Sequence, residues 1–149
     1  MKIGIMSFAH LHAEAYIQNL RSAPDVEMIG LADENFARGQ KYAQDFGVRQ
    51  FRTYSELLDA GPDAVVICSE NNRHRALVEM AAAAGCQVLC EKPLATTLAD
   101  AQAILDACTK AGVLLMTAFP MRFSTPVEAV KARLDCGDLG RIYCFNGTN

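Results

Sequence analysis

Short apolar runs alternate along the chain with longer segments in which apolar residues recur at helical spacing. The runs are continuous rather than alternating with polar residues, which is typical of parallel strands buried on both faces. The predicted strands lie at residues 2–6, 26–32, 64–68, 87–90 and 113–116. The clearest helical segments lie at residues 11–20, 76–84 and 97–111. Alternation of strand and helix predicts an α/β fold, a doubly wound parallel sheet of the Rossmann type in three α/β/α layers.

The last of these helical segments carries signals at both of its ends. Asp100 follows Thr97 by three residues, as in a capping box with aspartate in place of glutamate, and Gly112 stands where a helix often ends. The residues predicted on its buried side are Leu98, Ala101, Ile104, Leu105 and Cys108.

The first forty residues have the order of a dinucleotide-binding βαβ unit, in which an acidic residue after the second strand accepts the ribose hydroxyls. Asp33 occupies that acidic position. Its carboxylate would repel a 2′-phosphate, so we expect NAD rather than NADP, although Arg38 could weaken this preference by folding back. Asp33 could equally be a turn or helix-capping residue before Asn35, and the sequence leaves both interpretations open.

The loop after the first strand departs from the glycine pattern of such units. The expected G-x-G-x-x-G register falls on residues 7–12, which contain no glycine. Ser7 must therefore adopt whatever positive φ the turn needs, and the Ala9 methyl group narrows the approach of a phosphate. Backbone N–H groups and the helix dipole remain available to an anion.

Glu91-Lys92-Pro93 directly follows the strand at residues 87–90. Open parallel sheets bind their ligands at the carboxyl ends of their strands, so Lys92 is the first candidate for chemistry. An ammonium group there can hydrogen-bond to a substrate hydroxyl or exchange a proton with it. The alternative is a surface lysine beside a turn proline.

Histidines and cysteines suggest a metal site only weakly. His10 and His12 resemble a ligand pair, but the sequence shows no third ligand nearby, so we predict no metal. None of the 6 cysteines forms C-x-x-C, and we expect Cys68, Cys90 and Cys108 to fill the core.

Composition narrows the function classes. The net charge is −3 and no basic cluster is present, which argues against nucleic acid as a partner. The 51% hydrophobic content is spread over periodic elements, without an 18-residue apolar span or a signal peptide. We therefore expect a cytoplasmic protein without a membrane partner.

Several motifs together resemble the Gfo/Idh/MocA family, named after glucose-fructose oxidoreductase and inositol dehydrogenase. The motifs that carry the resemblance are Asp33, the segments 69–74, 91–93 and 120–126, and the segment 137–142. The resemblance covers essentially all 149 residues. It implies a nicotinamide-dependent oxidoreductase acting on a hydroxyl or keto group of a sugar, cyclitol or related polyol.

The resemblance also implies a role for each matching position. Lys92 would be catalytic, and no metal would take part. The cofactor-binding residues would be Ser7, Phe8, Ala9, His10 and Leu11 at the pyrophosphate, Asp33 at the adenosine ribose, Cys68 and Ser69 at the centre, and Asn71, His74, Glu91 and Arg122 toward the nicotinamide. His74 could instead be a helix-start residue bonded to a neighbour, and Arg122 could be a solvated arginine.

Members of this family place a larger α/β substrate domain after the cofactor domain. We predict a dinucleotide-binding domain over residues 1–136 and the start of a truncated substrate domain over residues 137–149, with a strand at 141–146 and the rest of that domain absent. A full-length protein would be expected to form homo-oligomers. The alternative is a non-catalytic NAD(P)-binding module or sensor.

Overall fold

A six-stranded parallel sheet organises the protein, and the computed structural model describes residues 1–147. The strands are β1 (Lys2–Met6), β2 (Glu27–Ala32), β3 (Gln50–Phe51), β4 (Ala64–Ile67), β5 (Gln87–Cys90) and β6 (Leu115–Thr117). Their order across the sheet is β3-β2-β1-β4-β5-β6, and every neighbouring pair is parallel. The chain thus runs outward from β1 in both directions, which confirms the predicted doubly wound sheet.

Helices follow the strands. They are α1 (Ala13–Ser22), α2 (Phe36–Phe46), α3 (Tyr54–Asp59), α4 (His74–Ala83), α5 (Leu98–Ala111) and α6 (Thr125–Asp135). Short 3-10 helices lie at Asn71–Arg73 and Pro120–Phe123. The helix α2, the strand β3 and the helix α3 were not predicted. The strand β3 has only 2 residues and α3 only 6, too few for a periodic pattern, whereas α2 was missed despite its 11 residues.

Two hydrophobic clusters cover the two faces of the sheet. Ile3 and Ile5 of β1 pack into the cluster that includes Ile17 of α1, whereas Met6 packs into the cluster with Leu77 of α4. Because successive side chains of a strand point to opposite faces, a strand buried on both sides must be apolar throughout. This burial explains the continuous apolar runs.

The predicted ends of α5 are correct. Thr97 precedes the helix and its Oγ1 accepts a hydrogen bond of 3.1 Å from the Asp100 backbone N–H, while Gly112 ends the helix at φ 68°. The predicted buried side is only partly correct, since Ile104 and Cys108 are buried but Leu98 is 91% exposed and Leu105 47% exposed. Only one narrow stripe of this helix faces the sheet.

The cysteines are all free, and the three that were predicted to fill the core do so. Cys68, Cys90 and Cys108 are buried, whereas Cys136 and Cys144 are exposed. Burial raises the pKa of the Cys90 thiol to about 12, with Glu91 adding to the effect. This thiol is therefore protonated and packs as a small apolar group.

The described residues divide into two units, Met1–Ala118 and the segment from Phe119 onward. The predicted domain boundary after residue 136 lies inside the second unit and stays a prediction. The segment 141–146 is not a strand, which corrects the sequence-based expectation; a strand requires a partner to pair with. Residues 148 and 149 of the predicted second segment lie outside the described residues.

None of the helices found in residues 1–147 combines the length and the apolar character that a membrane crossing requires.

Gly30 permits the irregular pairing of β1 with β2. The register between β1 and β2 shifts at this point, and Gly30 has φ 143°. A Cβ atom at Gly30 would collide with the backbone carbonyl oxygen of Arg49, which itself accepts the N–H of Leu31 at 2.9 Å. Backbone atoms held in a sheet cannot move aside as a flexible side chain can.

We therefore expect Gly30→Ala to lower the free energy of unfolding by about 3 kcal/mol, because it adds this collision to an unfavourable φ. Urea denaturation followed by circular dichroism measures the change. The matched control is Gly61→Ala, since Gly61 has φ 70° but open space around it, and about 1 kcal/mol is expected there. Equal losses for the two variants would contradict the collision.

Candidate functional site

Polar side chains collect at one edge of the sheet. Ser7 directly follows β1, Asp33 directly follows β2 and Glu91 directly follows β5, while Ser69 is the second residue after β4. The carboxyl ends of parallel strands meet at the same edge, which is where open α/β sheets bind ligands. All four residues are buried, although they are polar or charged. Burial of such groups requires internal hydrogen bonds, and these bonds define the site.

Ser7 replaces the first glycine of the turn after β1 and has φ 75°. This is the positive φ that the sequence predicted for the position. Its Oγ accepts a hydrogen bond of 3.2 Å from the Ala9 N–H, and its own N–H donates to the Ala32 carbonyl at 2.8 Å. These two bonds offset part of the strain, which is about 1–2 kcal/mol for a residue other than glycine.

The N–H groups of the same loop are largely used inside the protein. They donate from Phe8 to the Asp33 carboxylate (2.7 Å), from Ala9 to Ser7 and from His10 to the Cys68 carbonyl (2.9 Å). Leu11 lies at the outer end of the loop and is 78% exposed. An anion at this loop must therefore use other N–H groups or displace these bonds.

The Phe8 side chain points into the protein and not into the loop. It is 4% exposed and stacks on Tyr42 of α2 with ring centroids 4.6 Å apart. Any contact of Phe8 with a ligand would be made by its backbone.

Asp33 is 2% exposed, and each of its two carboxylate oxygens accepts two hydrogen bonds. Oδ2 accepts from the Phe8 N–H and from Arg38 Nε at 2.8 Å, and Oδ1 accepts from the Asn35 N–H at 2.8 Å and from Arg38 Nη2 at 2.9 Å. The Arg38 guanidinium is thus folded back onto Asp33. The bond to Asp33 raises the pKa of Arg38 above its ordinary value. Asn35, not Asp33, caps α2 by accepting the Arg38 N–H.

Two ion pairs join the loop after β2 to the loop after β4. Arg38 lies 3.8 Å from Glu70, and Arg73 pairs with Glu34. Neither pair was predicted from the sequence, because the partners are more than thirty residues apart and charged loop residues are common. The pairs hold Asn71, which is exposed in the 3-10 helix, close to the β2 side of the edge.

A pocket opens beside Asp33 and is lined by Glu34, Arg52, Thr53 and Tyr54. The Tyr54 hydroxyl oxygen accepts a bond of 3.3 Å from the Glu34 N–H. Burial, together with Asp33 and Glu70, raises the pKa of Tyr54 to about 12, so its phenol is neutral and can also donate. Sequence reasoning missed this pocket, because its wall comes from the unpredicted β3–α3 connection.

His74 is fully buried at the first position of α4. Its Nδ1 lies 2.9 Å from the Pro93 carbonyl oxygen and its Nε2 lies 3.3 Å from the Ser69 carbonyl oxygen. A neutral imidazole can donate to only one of these acceptors, and the shorter distance favours Pro93. His74 therefore connects the loop after β4 to the loop that carries Lys92.

Glu91 is fully buried and ties the loop after β5 to the start of α1. Its Oε1 lies 2.8 Å from His12 Nδ1 and accepts the Tyr16 hydroxyl at 2.8 Å, while Oε2 accepts the Lys92 N–H at 3.0 Å. His12 is at the N-cap position of α1 without capping it. Its side chain instead turns toward this buried carboxylate.

The charge of Glu91 is stabilised by these donors. Burial alone would raise the pKa of its carboxyl group, but the bonds from His12 and Tyr16, with His10 nearby, bring the pKa below its ordinary value. Burial and the negative charge of Glu91 raise the pKa of Tyr16, so Tyr16 stays a donor. Tyr16 was not predicted as a site residue, although it lies four residues after His12 on the same helical face.

Lys92 is exposed at the edge of the sheet, next to the buried Glu91. Its N–H is held by Glu91, and the carbonyl of the following Pro93 is held by His74. The backbone on both sides of Lys92 is therefore fixed while its ammonium group faces solvent. Such an arrangement suits a group that must meet a ligand.

Arg122 lies in the second unit, in the 3-10 helix Pro120–Phe123. Its guanidinium is 5.8 Å from the ring centroid of Phe119. Its place in the cofactor-binding cleft stays a prediction.

Comparison with known proteins agrees with this geometry. Residues 2–119 match the family model described as "Oxidoreductase family, NAD-binding Rossmann fold", GFO_IDH_MocA. A D-apiose dehydrogenase from Paraburkholderia graminis is 38% identical over 139 residues, which are 92% of this chain and 36% of that protein. The myo-inositol 2-dehydrogenase of Thermotoga maritima is 31% identical and is matched over 45% of its length.

A solved structure shows the same fold. The WlbA dehydrogenase from Bordetella pertussis, in complex with NADH and UDP-GlcNAcA, superposes with a TM-score of 0.89 at 28% identity, covering 96% of this chain and 42% of that one. The chain thus spans less than half the length of these proteins. With a family model matching 118 of its 149 residues, the chain belongs to the Gfo/Idh/MocA oxidoreductase family and contains its NAD(P)-binding Rossmann domain.

Proposed function

We propose that this chain is the cofactor-binding part of a dehydrogenase that acts on a sugar, inositol or related polyol, with NAD preferred over NADP. The observation that carries the proposal is the exposed Lys92, fixed between Glu91 and His74 at the ligand-binding edge of a domain of this family. The relatives named above are dehydrogenases of an apiose and of an inositol, which supports a polyhydroxylated substrate.

The residues at the β2 side of the edge fit an adenosine group. The pocket beside Asp33 offers an aromatic wall in Tyr54 and polar groups in Arg52 and Thr53. A carboxylate has about four acceptor positions, and those of Asp33 are already used. The ribose hydroxyls can therefore bind Asp33 only if Arg38 gives up one or both of its bonds.

The same pair governs the choice between NAD and NADP. A 2′-phosphate next to the buried Asp33 carboxylate is repelled, which favours NAD. Arg38 reduces this repulsion, since its guanidinium neutralises Asp33 and can pair with a phosphate. We therefore propose a preference for NAD that is moderate, with Ser7, Ala9, His10 and Leu11 nearest the pyrophosphate.

Binding of the two cofactors to the purified chain, measured by isothermal titration calorimetry, tests this proposal. NAD is expected to bind more tightly than NADP. Arg38→Gln is expected to weaken NADP binding at least tenfold, about 1.4 kcal/mol, and to affect NAD less, because the variant leaves Asp33 without its cation. Absence of binding for both cofactors would contradict the proposed cofactor site.

The matched control is Lys41→Gln. Lys41 lies on the same helix as Arg38 and is paired with the exposed Asp45, so its loss removes a positive charge without touching Asp33. It should change neither affinity by more than about twofold, since exposed ion pairs contribute little. If Lys41→Gln and Arg38→Gln weaken NADP binding equally, the effect is one of net charge and not of the Asp33 pair.

Lys92 is proposed to handle the proton of the reacting hydroxyl group. Bound NAD would supply the hydride acceptor for the reaction. The Lys92 ammonium can hydrogen-bond to the substrate oxygen, and as a free amine it can accept the hydroxyl proton. Glu91 and His74 fix the backbone of this loop, so they position Lys92.

In the protein at its native length, Lys92→Met should lower kcat for its polyol substrate at least about a hundredfold, the usual contribution of a general acid or base. Formation of NADH on a panel of pentoses, hexoses and inositols, followed by absorbance, gives the rate. The affinity for NAD should remain within about twofold, because methionine keeps the length and packing of the side chain while removing the proton-carrying group.

Lys110→Met provides the control for this variant. Lys110 is exposed in the last turn of α5, away from the carboxyl ends of the strands. Its replacement should leave kcat unchanged. Normal turnover of the Lys92→Met protein would refute the catalytic role, whereas a loss of NAD binding in that variant would assign Lys92 to cofactor binding.

A further inference from the structure

Three potential metal ligands meet where the loop after β1 approaches the end of β5. His10, His12 and Glu91, the His-His-Glu cluster, each offer one ligating atom, and these atoms all lie within 4.8 Å of one another. The sequence shows the two histidines as neighbours but not the carboxylate, which lies 79 positions beyond His12. The third ligand that the histidine pair lacked in the sequence is supplied by the fold.

We propose that the His-His-Glu cluster binds a divalent transition-metal ion of the zinc class. Two imidazole nitrogens and one carboxylate oxygen are a donor set that zinc and its neighbours in the first transition series accept, with the remaining coordination positions filled by water. Mg²⁺ prefers oxygen ligands and several waters, so it is a poor match.

The distances suit such an ion after small side-chain adjustments. His12 Nδ1 lies 2.8 Å from Glu91 Oε1, and His10 Nε2 lies 3.9 Å from Glu91 Oε2. Neighbouring donors of a tetrahedral zinc ion are about 3.4 Å apart, given bonds of about 2.0–2.1 Å. The two imidazole rings are edge to face with centroids 4.6 Å apart, so both can turn a nitrogen toward one point.

Accessibility and protonation also fit. Glu91 is buried, while the side chains of His10 and His12 are 17% and 34% exposed, so an ion can enter from the histidine side. A neutral imidazole nitrogen is the form that coordinates a metal. The proton between His12 and Glu91 would leave when the ion replaces it.

The tautomer of His10 limits the affinity. His10 Nδ1 accepts the His12 N–H at 3.2 Å, so the proton of the neutral ring is on Nε2. Coordination through Nε2 moves this proton to Nδ1 and gives up that bond. Binding should therefore be weaker than in four-ligand structural zinc sites, in which every ligand comes from protein.

Stabilisation of the buried Glu91 explains the position of the His12 side chain but not that of the His10 imidazole Nε2. Glu91 is already stabilised by His12, Tyr16 and the Lys92 N–H, and His10 makes no hydrogen bond to it at 3.9 Å. Removal of His10 should therefore leave the Glu91 bonds in place while removing one metal ligand. This difference makes His10 the variant that separates metal binding from folding.

Calorimetric titration of ZnCl2 into the chain without any affinity tag tests the proposal. The background should be Cys136→Ser with Cys144→Ser, because both thiols are exposed and exposed thiolates can bind zinc. One ion per chain is expected, and MgCl2 at the same concentration should give no saturable heat. No saturable zinc binding in this background would overturn the proposal.

Three variants in the same background locate the ion. His10→Ala and the isosteric Glu91→Gln should each weaken zinc binding at least tenfold, since even residues that only support metal ligands contribute tenfold or more. Glu128→Gln, which removes an exposed carboxylate in the first turn of α6, should leave the affinity unchanged.

Far-UV circular dichroism and thermal unfolding of each variant show whether it is folded. A folded His10→Ala protein that binds zinc as tightly as its parent would overturn the site. If Glu91→Gln does not fold, His10→Ala alone decides, because the hydrogen bonds of Glu91 do not involve His10.

Discussion

The buried charge of Glu91 is the interaction on which the geometry of the ligand-binding edge depends. A carboxylate that is removed from water must be surrounded by donors, and a missing donor leaves an uncompensated charge that strongly destabilises the fold. His12 and Tyr16 on α1 and the N–H of Lys92 supply these donors. The position of α1, the loop before it and the backbone of Lys92 are consequently set by one side chain.

Asp33 applies the same principle on the other side of β1. Its carboxylate holds the Phe8 N–H of the first loop and the Arg38 side chain of α2. The first loop is thus fixed by Asp33 through Phe8, while the residues just after it are fixed by Glu91 through His12. If a ribose binds Asp33 as proposed, its affinity and the shape of the loop would be coupled, because both would depend on the acceptor positions of Asp33.

Sequence reasoning succeeded where the cause is local and failed where it is distant. The buried strands, the positive φ of Ser7 and the ends of α5 follow from apolar runs, turn sterics and capping, all of which act within a few residues. The direction of His12 and the role of Tyr16 could not be predicted, because their partner Glu91 is 79 and 75 positions away. The predicted burial of Leu98 and Leu105 was wrong for another reason. Helical periodicity does not show how wide a stripe of the helix the sheet covers.

The loop without glycines shows how a family fold can keep its turn while changing what the turn offers a ligand. Glycines normally allow the backbone to turn tightly and leave its N–H groups free for a phosphate. Here Ser7 makes the turn at positive φ, and its hydroxyl oxygen takes the Ala9 N–H, while Asp33 and Cys68 take those of Phe8 and His10. The shape is kept by internal bonds that use the same donors a pyrophosphate would use. In the proposed binding mode, a cofactor at this edge would draw more on α1 and on the Asp33 pocket than in a glycine-rich relative.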